Sequence, residues 1–100
     1  MFEGKKVLIT GGTGSLGQAL TNRLLKMGVD TIRIVSRNEE KQIQMENKFN
    51  DKRLRFFLAD IRDLNRLSRA LEDIDIVFHT AALKDVPKIE YNPFEAIKTN

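Results

Sequence analysis

The sequence contains no cysteine and a single histidine. Disulfides and cysteine-ligated zinc are therefore excluded, and one imidazole leaves little scope for a histidine-built metal site, so no metal is expected. No apolar run approaches the roughly 20 residues that a membrane-spanning helix needs. The opening Met1-Phe2-Glu3-Gly4-Lys5-Lys6 lacks the apolar stretch of a signal peptide. A cytoplasmic chain without membrane contact is the expectation.

What is present suits one small domain or part of a larger one: 100 residues, of which 41% are hydrophobic. A net charge of +3 is mildly basic. Lys52, Arg53 and Arg55 form the densest basic cluster, which reads as a solvated turn because no nucleic-acid recognition motif accompanies it. No nucleic-acid partner is expected.

The chemistry-bearing stretch is Thr10-Gly11-Gly12-Thr13-Gly14-Ser15-Leu16-Gly17. The apolar run Val7-Leu8-Ile9 precedes it, and Leu16, Leu20, Leu24 and Met27 follow at helical spacing. Strand, glycine turn and helix in that order make a dinucleotide phosphate loop. Glycines let the backbone turn tightly, approach a phosphate without an intervening Cβ and pack the helix against its strand, while the amides at the helix start face the anion. Two spacings overlap here, G-x-G-x-x-G at 12, 14 and 17 and G-x-x-G-x-x-G at 11, 14 and 17.

Gly28 predicts the helix stop, and Thr31-Ile32-Arg33-Ile34-Val35 a β-branched second strand. NAD-binding sheets of this kind carry an acid about 20 residues beyond the glycines, where it accepts from the ribose 2′-hydroxyl. This chain has Ser36-Arg37-Asn38 there. A carboxylate repels a 2′-phosphate, whereas a hydroxyl and a guanidinium fork bind its oxygens, so NADP is favoured over NAD. Glu39 or Glu40 reaching back to the ribose is the contrary reading. Lys41 is a further candidate for the phosphate, and the whole run from Glu39 to Gln44 also reads as the exposed start of a second helix.

That helix is predicted over about Glu39 to Phe49, with Ile43 and Phe49 as core contacts and Asn50-Asp51 as its end. Strand three is Leu54 to Leu58. Its carboxyl end lies beside the adenine, where Asp60 is placed to accept from the exocyclic amine and Ile61 to cover the ring. Asp63 reads as the cap of a third helix carrying Leu64, Leu67, Leu71 and Ile74 on one face. A fourth strand follows over Asp75 to Thr80, with His79 read as structural rather than catalytic. Ala81 and Ala82 let the backbone pass close to a cofactor, and Lys84 is read equally as a contact to cofactor or anionic substrate and as a surface lysine. Asn92-Pro93 starts a fourth helix running to Asn100 with no following strand. The chain reads as a fragment.

Together, Thr10 to Gly17, Ser36 to Glu39, Asp60 to Asp63 and His79 to Asn100 resemble the extended short-chain dehydrogenase/reductase family. The segment H-T-A-A-L-K-D-V-P-K-I-E-Y-N-P-F-E-A-I-K-T-N is similar to its polysaccharide-biosynthesis group, above all the inverting UDP-N-acetylglucosamine 4,6-dehydratases of pseudaminic acid synthesis. The resemblance implies an α/β, Rossmann-type doubly wound parallel sheet, of which residues 1–100 form the N-terminal, NADP-binding half, with strand order 3-2-1-4 and helices on both faces. It implies Gly11, Thr13, Gly14, Ser15, Leu16 and Gly17 at the pyrophosphate, Ser36, Arg37, Asn38, Glu39 and Lys41 at the adenosine phosphate, and Asp60 and Ile61 at the adenine. By the same resemblance Thr80, Ala81 and Ala82 line the ribose, Thr99 and Asn100 lie near the nicotinamide side, Lys84 meets both cofactor and substrate, and Thr99 also meets the substrate.

In such enzymes bound NADP takes a hydride from carbon 4 of the sugar, water leaves across carbons 5 and 6, and the hydride returns at carbon 6. The cofactor is unchanged overall. Short-chain dehydrogenases need a Tyr-x-x-x-Lys pair, whose lysine lowers the tyrosine pKa. Tyr91 is the only tyrosine, and four residues later stands Glu95, so no catalytic residue is assigned and residues 1–100 alone are expected to be inactive. The resemblance implies a UDP-sugar as partner, UDP-N-acetylglucosamine above others, and a homo-oligomer for the full protein. A UDP-sugar 4-epimerase, a related dehydratase and a non-catalytic NADP-binding regulator are the alternatives.

Overall fold

The computed structural model describes residues 1–60 and 62–80, and the backbone of a short strand at Ile97–Lys98. The elements in chain order are β1 (Lys6–Thr10), α1 (Ser15–Lys26), β2 (Thr31–Ser36), α2 (Glu39–Phe49), β3 (Leu54–Leu58), α3 (Leu64–Ala70), β4 (Ile76–His79) and β5 (Ile97–Lys98). The first four strands are parallel in the order β3-β2-β1-β4, as expected from the sequence.

β1 lies between β2 and β4, with Ile9 opposite both Ile34 and Phe78. Its alternation of side chains sorts the core into two layers. Val7 and Ile9 pack with Ile32, Ile34, Phe78, Leu20 and Leu24 of α1 and Met45 of α2. Leu8 and Val35 pack on the other face with Ala70 of α3 and Ile74. Apolar residues thus run continuously through β1 because both of its faces are covered.

Four expectations change. The sequence continued a fourth helix through Asn100 and left β4 as an open edge, but Ile97 and Lys98 pair antiparallel with Val77 and Ile76. The outer side of β4 carries backbone groups that need partners, and a ladder satisfies them where a helix would not. The remainder of the expected helix, at positions 92–96 and 99–100, lies outside the described residues. Ile43 is 52% exposed, and Met45 occupies the core instead. The inner face of α2 is the row Gln42, Met45 and Phe49, to which Ile43 lies opposite. Leu64 is 75% exposed, because the short α3 meets the sheet through its last turn at Ala70 and Ile74 is buried only after the helix has ended. Met27, expected on the inner face of α1, is instead its exposed C-cap, followed by Gly28 at a left-handed φ of 81°.

Candidate nucleotide-binding site

Parallel pairing brings the carboxyl ends of β1, β2, β3 and β4, at Thr10, Ser36, Leu58 and His79, to one edge of the sheet. The chain leaves β1 toward β2 and β3, then crosses to β4 on the other side. The crevice at such a reversal is where open α/β sheets take ligands. Thr10 to Gly17 lies there.

The glycines divide into two kinds. Gly11 has a left-handed φ of 69°, with its amide bonded to Val35 O at 2.9 Å. A Cβ on Gly17 would stand 2.5 Å from Gly12 Cα, and one on Gly12 would stand 2.7 Å from the buried Ile34 Cγ2. These three are required by the chain's own packing. At Gly14 an added Cβ would meet only Gly11 O, at an ordinary 3.5 Å. Gly14 is exposed and is the N-cap of α1, with no side-chain cap bond. The amides of Ser15, Leu16 and Gly17 have no acceptor inside the helix, so the helix start presents donors and a positive dipole end beside the exposed Gly14.

The loop is braced from behind. Gln18 Nε2 donates to Thr13 O at 2.8 Å, and Lys48 Nζ of α2 donates to Gln18 Oε1 at 3.2 Å. The Gly14 amide bonds to Gly11 O at 3.1 Å. Both polar ends of the peptide between Thr13 and Gly14 are therefore fixed.

At the end of β2, Ser36 Oγ accepts from Gln42 Nε2 at 2.8 Å. Asn38 Oδ1 accepts from the Lys41 amide at 3.0 Å and is occupied as the cap of α2. Glu39 and Glu40 form the exposed first turn, and the Lys41 residue is exposed as well. Arg37 reaches across to β3, its guanidinium 3.6 Å from Asp60 Oδ2. Arg62 holds the same carboxylate with its amide at 2.9 Å and its guanidinium at 2.7 Å. Hydrogen bonds from the Arg62 side chain, then from its amide, keep Asp60 well below the usual carboxylate range, with Arg37 adding a smaller attraction. The carboxylate stays ionised and able to accept.

At the end of β4, His79 Nδ1 lies 2.7 Å from Thr10 Oγ1. Thr80 is buried, and its amide and hydroxyl both donate to Thr10 O. Its hydroxyl is thus turned to the sheet. Ile61, Ala81, Ala82, Lys84, Thr99 and Asn100 lie outside the described residues. Among the described residues no helix is long and apolar enough to cross a membrane, and no three acidic or histidine side chains converge on a metal position.

Four contributors had no individual role assigned from the sequence: Thr10, Gln18, Gln42 and Arg62. Gln42 left a trace, since it lies on the helical row of Met45 and Phe49 and is a polar residue on an inward face. The other three act through contacts that sequence spacing does not reveal.

Residues 7–100 match the family described as polysaccharide biosynthesis protein. The inverting UDP-N-acetylglucosamine 4,6-dehydratase of Campylobacter jejuni (strain 81-176) is 52% identical over 101 residues, covering all of this chain and 30% of that protein. The UDP-glucose 4-epimerase of Rickettsia bellii (strain OSU 85-389) is 47% identical over 104 residues, again with 100% and 30% coverage. The chain thus spans about 30% of the length of these curated relatives. Pen from Bacillus thuringiensis superposes with a TM-score of 0.80 at 42% identity, over 94% of this chain and 29% of that one. The Bordetella bronchiseptica enzyme WbmF, solved with NAD+ and UDP, superposes with a TM-score of 0.65 at 27% identity, over 78% and 23%. Glycine loop, strand order and whole-chain similarity agree: the chain belongs to the polysaccharide biosynthesis protein family, of the short-chain dehydrogenase/reductase type.

Proposed function

We propose that this chain is the N-terminal, NADP-binding part of an inverting UDP-N-acetylglucosamine 4,6-dehydratase that works in the cytoplasm as a homo-oligomer. The observation that carries the cofactor reading is the end of β2. A serine hydroxyl and an exposed guanidinium stand there, where an acid would repel a 2′-phosphate. The residues fit the group: the turn at Gly14 and the amides of Ser15 and Leu16 take the pyrophosphate, and Asp60 the adenine amine. The substrate reading rests on the 52% identity to the Campylobacter dehydratase across the whole chain.

Bound NADP supplies reversible hydride exchange with the sugar. This chain's part is to hold the dinucleotide in one pose. The Gly11 to Gly17 turn fixes the pyrophosphate, the ends of β2 and β3 fix the adenosine, and the Thr10–His79 and Thr10–Thr80 bonds hold β1 against β4 beside the crevice. By family resemblance Lys84 is assigned to both cofactor and substrate, Thr99 to the substrate side, and Ala81, Ala82 and Asn100 to the cofactor. The second reading is a UDP-glucose 4-epimerase, favoured by the 47% identity to the Rickettsia protein.

Two experiments test this. Titration of NADP and NAD into the whole protein and its Arg37→Ala variant is expected to show a loss confined to NADP, about 1 to 3 kcal/mol for a charge-assisted contact. Equal losses for both cofactors remove Arg37 from the 2′-phosphate. Incubation with UDP-N-acetylglucosamine is expected to yield a 4-keto-6-deoxy sugar nucleotide, whereas interconversion of UDP-glucose and UDP-galactose without it supports the epimerase. Residues 1–100 expressed alone are expected to form neither product.

A further inference from the structure

Gln42 is a polar side chain on the inner face of α2, only 6% exposed, and the proposed binding of the pyrophosphate or adenine does not use it. Its Nε2 lies 2.8 Å from Ser36 Oγ and 3.2 Å from Phe57 O, with Ser36 O at the outer limit of 3.5 Å. Two of these three neighbours are carbonyl oxygens, which only accept. The atom facing them must be the NH2 end of the amide, so the orientation of Gln42 is set by chemistry. One hydrogen serves the Phe57 carbonyl on β3, and the other serves the Ser36 hydroxyl on β2.

That donation decides what Ser36 can do. A hydroxyl has one hydrogen and two lone pairs. Gln42 fills one lone pair, which leaves the hydrogen free of this contact and polarises it toward a further acceptor. Without Gln42 the hydroxyl loses that donor and is free to rotate, so its hydrogen is no longer directed. A phosphate oxygen accepts only, and its bond to a hydroxyl donor is charge-assisted; a ribose hydroxyl both donates and accepts, and gains less from a serine fixed as donor.

We propose that Gln42 is a positioning residue for cofactor choice: by donating to Ser36 Oγ it fixes that hydroxyl as a donor to the 2′-phosphate of NADP. The inference rests on the NADP reading given above. Gln42 acts through Ser36 and bridges β2 to β3 at the sheet edge where the adenosine end is proposed to lie.

The test is a double-substitution cycle in the whole protein, with dissociation constants for NADP and for NAD measured on wild type, Gln42→Met, Ser36→Ala and the double variant. Gln42→Met is expected to weaken NADP about ten-fold and NAD less than two-fold, with no further loss when added to Ser36→Ala. Gln42→Leu also removes the donor and adds no charge beside the 2′-phosphate, and the same selective loss is expected from it should the methionine variant fail to fold. Equal weakening of both cofactors makes Gln42 merely structural and overturns the proposal, as do losses that add in the double variant. A wild type that binds NADP and NAD alike overturns the 2′-phosphate reading itself. A wild type that prefers NADP, with Gln42→Met and Gln42→Leu variants that prefer it equally, overturns only the role of Gln42.

Discussion

Gly14 and Gly17 lie three residues apart in one loop, and the structure separates their roles. Gly17→Ala puts a Cβ 2.5 Å from Gly12 Cα and 2.7 Å from Gly12 C and O. Those are backbone atoms, which cannot swing aside as a side chain would, so helix and turn must move apart. Overpacking of this kind costs about 1 to 3 kcal/mol or more. With up to about 1 kcal/mol of helix propensity regained by alanine, the upper part of that range leaves a net loss of about 2 kcal/mol. Gly14→Ala meets only an ordinary 3.5 Å contact, at a φ of −73° that alanine adopts freely. It weakens the N-cap by about 0.5 to 1 kcal/mol at most.

Thermal melts of the whole protein are therefore expected to show a drop of several degrees for Gly17→Ala and a smaller one for Gly14→Ala. Cofactor affinity reverses the emphasis. A methyl group at Gly14 occupies the proposed path of the pyrophosphate, so NADP and NAD are both expected to bind at least ten-fold more weakly. A Gly14→Ala protein that binds dinucleotide like wild type would refute the placement of the phosphate. A Gly17→Ala protein that melts at the wild-type temperature would refute the packing argument.

Three further outcomes follow from the same contacts. Asp51 is held at a pKa of about 2, first by the Arg53 side chain and then by its amide. Its folded pKa lies below the unfolded one, so the stabilisation is complete above about pH 4 and fades as pH falls toward 2. Both partners are partly exposed, so the effect is about 1 kcal/mol, read as a flatter acid limb in urea melts of Asp51→Asn. Phe78→Ala empties a fully buried position between Phe2 and α1 and is expected to cost about 3 to 5 kcal/mol by denaturant unfolding. Asp63→Ala removes the bond to the Arg66 amide that caps α3, and hydrogen exchange is expected to show faster opening there, equivalent to about 1 kcal/mol.

Periodicity and turn chemistry are local, and on those grounds the sequence by itself determined four strands, the three helices between them, the cap at Asp63 and the left-handed stop at Gly28, while the parallel order 3-2-1-4 followed from the family resemblance. A motif in context also located the phosphate loop, because strand, glycine turn and helix must follow one another in the chain. The sequence could not say which glycine served which purpose. Only three-dimensional distances show that Gly17 answers to Gly12 and Gly12 to Ile34, while a Cβ at Gly14 would meet only an ordinary contact.

Helix phase was misjudged where composition was ambiguous: Ile43 looked apolar enough for the core, yet Met45 and Phe49 set the inward row and brought Gln42 with them. Backbone pairing beyond nearest neighbours was also hidden, as in the strand Ile97–Lys98 on β4, because ladder bonds depend on what lies alongside rather than on side-chain order. The same holds for the Arg37–Asp60 pair and the Gln42–Ser36 bond. Each joins residues that parallel strands or helix packing bring together across the chain, and only the tertiary structure decides which of them share an edge.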